Sequence, residues 1–246
     1  MNEVYIVMKV EIWSDFVSPL CYIANRKFEL ALEKFENQRY VKVEYRSFIL
    51  HRDDVVSVNT CKELLMKTCN VSFCQIDDWI EQLTSQANEL NLPFDIDGYV
   101  QTNTLDAHRL VKFAEKQGKA REIIHMLFHH FFTLADKSKD NIDDKHILVD
   151  IAQQCGLNDD AVHRLLSIKK YSRAVELDED DASEIGIKNV PFFIFNEKYA
   201  LVGNQPIEVF LEALQDSWRE DEQRLLKKQV HEASDTCYCV GDDCDV

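Results

Sequence analysis

The chain is short of the residues that punctuate β-rich folds: its 246 residues include only 6 glycines and 4 prolines. An all-β sandwich or barrel needs a turn signal about every ten residues, so that class is excluded. Basic residues are also in deficit, with 28 Lys and Arg against 44 Asp and Glu and a formal charge of −16. Such an acidic surface repels phosphate backbones and anionic lipid, which sets aside nucleic-acid and membrane partners. No apolar run approaches the ~20 residues of a membrane span. Met1–Tyr5 carries neither a basic lead nor an apolar stretch of signal type, and the expectation is a cytoplasmic protein. In that reducing setting the 8 cysteines are expected as free thiols rather than as a disulfide framework.

Hydrophobic residues at 46% and charged residues at 29% are enough for a packed core, and the length suits one large domain or one domain carrying an insertion. Residues 4–13 are apolar and β-branched, which predicts a buried strand. Pro19 suits the first turn of a helix, where its missing N–H costs nothing. Leu20, Ile23, Phe28, Leu32 and Phe35 then recur at helical spacing to about Glu36. Tyr40 to Phe48 alternates and predicts a half-buried strand. Candidate helices follow over 58–69, 75–91, 103–117, 119–135, 143–155, 159–167 and 170–185, with Gly118 and Gly156 marking two ends and Asn158 offering a cap. Phe192–Phe195 and Lys198–Val202 read as a hairpin, and a helix runs from about Pro206 to Lys228. Val230–Val246 has five acids and no Lys or Arg, the composition of a flexible tail. The layout is therefore an α/β domain from 4–57 and 168–229, a helical insertion over 58–167, and a cysteine-bearing tail over 230–246.

Two features together reach a family. One is a strand followed by Trp13-Ser14-Asp15-Phe16 and a Ser18-Pro19-Leu20-Cys21 helix start. The other is Val190-Pro191-Phe192-Phe193, then a hairpin and a last helix. The chain resembles thioredoxin-fold proteins of the DsbA family, with their large all-helical insertion. Within it the FrnE-like branch of dithiol-disulfide isomerase type is the nearer likeness. 2-Hydroxychromene-2-carboxylate isomerases and kappa-class glutathione transferases are cousins. The resemblance extends from about residue 9 to 217 and includes Asn103–Leu110 and Val202–Pro206. It implies a thiol-disulfide oxidoreductase or isomerase with a cis-proline at Pro191, no metal and no permanently bound cofactor.

The family's helix begins C-P-x-C, and its first cysteine attacks disulfides as a thiolate favoured by the helix N-terminus. Here that position is Ser18, and an alcohol cannot exchange a disulfide. Three readings stay open. Exchange could use Cys21 with tail thiols, where Cys237, Cys239 and Cys244 offer a second redox pair, against protein thiols or disulfides. Ser18 could instead hold the sulfur of glutathione as a cosubstrate, with Val190, Asn204, Gln205 and His108 binding the remainder in an isomerase or transferase. The third reading is a non-catalytic adaptor that binds a protein partner in the groove at Pro191.

The other candidates read as structure. Cys61, Cys69, Cys74 and Cys155 are expected as small buried hydrophobes. His125 and His129 have the i, i+4 spacing of a metal pair without a third ligand placed beside them. His231 with the tail cysteines fits no common zinc spacing. Asp178–Asp181 is expected to be a solvated helix face.

Overall fold

Met8, Val10 and Ile12 alternate with Lys9, Glu11 and Trp13 along β1 (Met8–Ser14), and most of both sets are buried. Burial on both faces is the mark of a central strand. The computed structural model describes residues 8–51, 61–97, 99–133 and 141–235, with side chains to residue 223. Its sheet has the order β2-β1-β3-β4. β2 (Val41–Ser47) lies parallel to β1, with Val43 opposite Val10. β3 (Phe192–Phe195) is antiparallel to β1, with Phe193 opposite Ile12, and β4 (Tyr199–Val202) is antiparallel to β3. A parallel neighbour requires a crossover. α1 (Pro19–Lys34) supplies it and so starts directly after β1.

One sheet face buries Met8, Val10, Ile12, Phe193 and Phe195 against Ala24, Phe28 and Ala31 of α1 and against Phe210 and Leu214 of α9 (Ile207–Asp235). The Phe193 and Phe210 rings meet at 4.7 Å between centroids. The other face, with Trp13 and Phe192 edge to face at 6.4 Å, looks toward the helices. These are α2 (Cys61–Cys69), α3 (Ile76–Glu89), α4 (Leu105–Glu115), α5 (Ala120–Thr133), α6 (Lys145–Gln154), α7 (Asp159–Ser167) and α8 (Ser172–Glu184). Tyr22 of α1 stacks on Phe128 and Phe132 of α5 at 5.3 and 5.2 Å. Trp13, Val17 and Cys21 share one apolar cluster with Leu110, Ile123 and Phe131.

Three expectations change. α9 continues to Asp235 rather than ending at Lys228. The stretch past Lys228 has no Gly or Pro before Gly241, so nothing there breaks a helix. Asp178 is not on a solvated face; it is 2% exposed. It falls in register with the buried Val175 and Ala182 of α8, so helical spacing turns it inward while its neighbours face out. There it accepts from Arg46 Nη1 at 3.0 Å and from the Ser47 N–H at 2.7 Å, and it pairs with Lys112 Nζ at 2.6 Å. Its carbonyl takes the Trp13 indole N–H at 3.1 Å. Finally, Cys61, Cys69 and Cys155 are only half-buried and Cys74 is exposed. Cys74 follows the turn at Asn70, whose φ is +53°, and its neighbour Phe73 is exposed too.

Candidate active site

Ser18 has extended backbone (φ −85°, ψ 115°), and its Oγ accepts the Cys21 N–H at 3.2 Å. This is an N-cap, the role that serine fills well, with Pro19 following in the first turn. The Ser18 N–H is held by the Asp15 carbonyl at 3.2 Å, so the β1–α1 loop fixes where the helix begins. Because Oγ serves as the acceptor, the hydroxyl proton is left to donate elsewhere. Cys21 lies one turn in and is 1% exposed. Burial pushes its thiol up to about 11, although Ser18, the main chain of Asp15 and the Ser14 hydroxyl all favour its thiolate.

The register that puts Phe192 beside Trp13 brings Pro191 to the end of the sheet where the Ser14–Ser18 loop leaves β1. The Val190–Pro191 peptide bond is cis, as the family resemblance implies. The Pro191 carbonyl accepts the Gly203 N–H at 2.8 Å, whereas Val190 enters no main-chain hydrogen bond among the described residues.

Behind the loop lie groups that the sequence reading did not connect. Asp15 is fully buried; Oδ2 accepts the Leu50 N–H at 2.7 Å, while Oδ1 makes no hydrogen bond. His108, 3% exposed, points Nε2 toward that Oδ1 at 3.5 Å and packs its ring on Phe16 at 4.6 Å. His51 meets Thr68 Oγ1 at 2.8 Å. Since the Thr68 hydroxyl donates to the Leu64 carbonyl at 2.9 Å, its oxygen accepts from His51 Nε2–H, which leaves Nδ1 as an unprotonated acceptor without a partner. Burial holds His51 below its usual pKa, against the raising charge of Asp15. Tyr99 donates to the Val17 carbonyl at 2.8 Å. Asp15 lies inside the Trp13–Phe16 motif, whereas His51 and Tyr99 carry no local sequence signal.

The remaining sequence candidates are spread out. Asn204 donates to Gln86 Oε1 of α3 at 2.9 Å, and Gln205 donates back to the Val202 carbonyl at 2.6 Å, so both tie down the entry to α9. Cys237, Cys239 and Cys244 lie outside the described residues. His125 does have a carboxylate beside it, the buried Glu29 of α1. Among the described residues no group of three His, Cys, Asp or Glu is placed to hold a metal. Nor is any described helix long and apolar enough to cross a membrane. A cavity of ≈ 590 Å³ runs along β2 and the α4–α5 turn and includes none of the sequence-predicted site residues.

The sheet, the capped helix after its first strand and the cis-proline ahead of its third define a thioredoxin-fold protein with a helical insertion. The chain belongs to the DSBA-like thioredoxin domain family, whose model matches residues 9–215; it is a family of disulfide oxidoreductases. A structure described as a probable DsbA oxidoreductase from Streptomyces coelicolor is 31% identical, covers 87% of this chain and 91% of its own, and superposes with a TM-score of 0.74. A 2-hydroxychromene-2-carboxylate isomerase shares the fold at 14% identity, 87% and 98% coverage and a TM-score of 0.65. So does DsbM, a cytosolic disulfide reductase from Pseudomonas aeruginosa solved with GSH, at 13% identity, 86% and 99% coverage and a TM-score of 0.59. No curated protein sequence matches the chain.

Proposed function

We propose that the chain is a thiol-disulfide oxidoreductase of the FrnE-like branch that uses one thiol of its own, Cys21, against a sulfur held at Ser18. The carrying observation is the Ser18 cap: Oγ accepts the Cys21 N–H at 3.2 Å and keeps a proton to donate. A sulfur there would stand one hydrogen bond beyond the place of the family's first cysteine, stabilised as thiolate by the hydroxyl and by the N-terminus of α1. Cys21 would act from behind it, as a resolving thiol, and would need no exposure of its own.

The free main chain of Val190 suits a peptide-like thiol paired in the manner of an added strand. Glutathione, alone or in a mixed disulfide with a protein, has that shape, and the DsbM neighbour was solved with GSH. It would be a cosubstrate and not a resident cofactor, in keeping with a cytoplasmic protein. The test is reduction of a glutathione–peptide mixed disulfide by the full chain. Cys21→Ala should abolish turnover, and Ser18→Ala should slow it about tenfold, the cost of one hydrogen bond to a charged sulfur. Loss of activity in a Cys239→Ala/Cys244→Ala variant, with Cys21→Ala fully active, would move the exchange to the tail.

A second reading has its own observation. The Cys21 thiol, pushed up to about 11 by burial, favours an enzyme that uses only the glutathione thiolate at Ser18, as an isomerase or transferase. On that reading Cys21→Ala keeps full activity and Ser18→Ala loses it.

A further inference from the structure

In the sheet order β2-β1-β3-β4, β2 is an edge strand, and its main chain alternates between β1 and the outside. The Phe48 N–H bonds the Ser14 carbonyl of β1, so Lys42, Glu44 and Arg46, in step with it along the parallel ladder, turn their main chain to β1. Val41, Val43, Tyr45 and Ser47 turn theirs outward. One end of this outer edge is closed: the Ser47 N–H donates to Asp178 Oδ2 at 2.7 Å, and Lys112 Nζ donates to the Tyr45 carbonyl at 2.8 Å. The middle is open. Among the described residues the Val41 carbonyl, the N–H and carbonyl of Val43 and the Tyr45 N–H make no hydrogen bond. Charged side chains on an edge discourage casual pairing, so Lys42 and Glu44 leave this one open only to a segment that suits them.

The cavity of ≈ 590 Å³ lies along this open stretch, within the ~300–1,000 Å³ of ligand pockets. Phe28 and Leu32 of α1 wall it on one side of the sheet, and Lys112 and Lys116 of α4 wall it on the other, so the edge forms its floor. The side chains of Val41, Val43 and Tyr45 pack with Phe28 and Leu32, which makes that side apolar. Those of Lys42 and Glu44 alternate to the opposite side. Five of the lining side chains are Lys or Arg and three are Glu, in a chain whose net charge is −16. Arg46 and Lys112 are committed to Asp178, whereas Lys42 is 64% exposed beside Glu44 and Lys116 is exposed. A second copy of the chain fits badly here. Two edges recessed between helices cannot meet, and two molecules of this charge repel each other.

We propose that the outer edge of β2 docks an extended segment of another protein, with an acidic residue among alternating apolar ones, as an added antiparallel strand. The central residue of the segment exchanges two hydrogen bonds with Val43. The residues two places either side accept the Tyr45 N–H and donate to the Val41 carbonyl. Such a segment needs about five residues, ~17 Å in length. Its central and outer residues fall on the face of Val43, against Phe28 and Leu32, and are apolar. The residue after the centre stands opposite Lys42 and is Asp or Glu; the one before it stands opposite Glu44 and is uncharged. Main-chain bonds supply the affinity and these alternate positions the selectivity. The groove contains no residue of the Ser18 site, so partner docking is a function apart from thiol exchange.

The experiment uses the full chain labelled with nitrogen-15 at valine and tyrosine, the Val43 and Tyr45 amide signals being identified by their loss in Val43→Ala and Tyr45→Phe. The probe is the peptide acetyl-Val-Thr-Val-Glu-Val-amide. Both signals should shift saturably, and Lys in place of the peptide's Glu should raise Kd about threefold or more. Methylating the central peptide nitrogen, which removes the N–H meant for the Val43 carbonyl, should abolish the shifts. Lys42→Glu should reverse the preference between the Glu and Lys peptides and leave mixed-disulfide exchange unchanged. Val43→Pro, a residue tolerated where an edge N–H faces outward, should bind neither peptide; if it does not fold, Lys42→Glu, a change at an exposed side chain, carries the test. Signals that stay in place at millimolar peptide, or that shift equally with the methylated peptide, would overturn the site. A preference that survives Lys42→Glu would overturn the register and with it the occupant. So would Val43 and Tyr45 amides that already resist hydrogen exchange in the free chain, because the chain itself would then hold the edge.

Discussion

Ser18 differs from the cysteine of a C-P-x-C motif by one atom, and everything around it still suits the sulfur. The cap geometry, the Cys21 N–H at 3.2 Å and the following Pro19 are features of a helix start that lowers a thiol pKa. Ser18→Cys should therefore restore a dithiol. After mild oxidation and denaturation, thiol counting should find two fewer thiols in the variant than in the same protein reduced. Mass mapping should place the bridge between positions 18 and 21. No bridge would mean that the loop has drifted from dithiol geometry. Ser18→Ala, by contrast, loses the cap and should cost about 1 kcal/mol of stability, read as a lower urea midpoint. Ser18, Cys21 and Pro191 were legible in the sequence because each sits in a short local motif. The facing of Asp15 and His108 was not, since β1, α4 and the segment after β2 meet only once the insertion has packed.

Helices and strands were legible almost to their ends where a cap marks them. Asn158, whose side chain accepts the Ala161 N–H at 3.0 Å, starts α7 where the sequence predicts it. Asp178 was misread because a run of four acids looks uniformly wet, whereas the i, i+3, i+7 spacing with Val175 and Ala182 selects one of them for the interior. Its removal is a prediction at this scale. Asp178→Ala leaves Lys112 without its carboxylate beside a buried gap, while Arg46 keeps Glu11, and should cost about 3–5 kcal/mol, with a lower urea midpoint and an unchanged slope. A loss below 1 kcal/mol would mean that solvent reaches both cations. Glu29 gives a pH signature. Burial pushes its carboxyl up, but His125 and Arg121 together outweigh burial and hold it below its ordinary value. A depressed carboxylate stabilises the fold above its unfolded pKa, about 4.3, and that contribution is lost as pH falls through the lower folded value. His125→Ala should therefore flatten the acid limb of a stability–pH curve below about pH 4.3 and lower the plateau above it.

At the scale of the molecule, the sequence reads as a thioredoxin-like part and a helical part, but the packing joins them. Tyr22 stacks between Phe128 and Phe132, Tyr99 bonds the Val17 carbonyl, and Lys112 of α4 reaches Asp178 beside β2. Trp13, Cys21, Leu110 and Phe131 belong to one apolar cluster, so neither part closes its core alone. Unfolding one part would expose the other's buried face, at about 25 cal/mol for each Å² of apolar surface. That cost couples the unfolding of the two parts. Heat should unfold the chain in one transition, with calorimetric and van't Hoff enthalpies equal. Tyr22→Ala, which removes the ring at the joint, should lower that transition while keeping it single. Two resolved transitions in the wild type would show instead that the helices form an independent unit. In that case the Asp15–His108 contact, which spans the two parts, could open without global unfolding, and hydrogen exchange would report early loss of protection along α4.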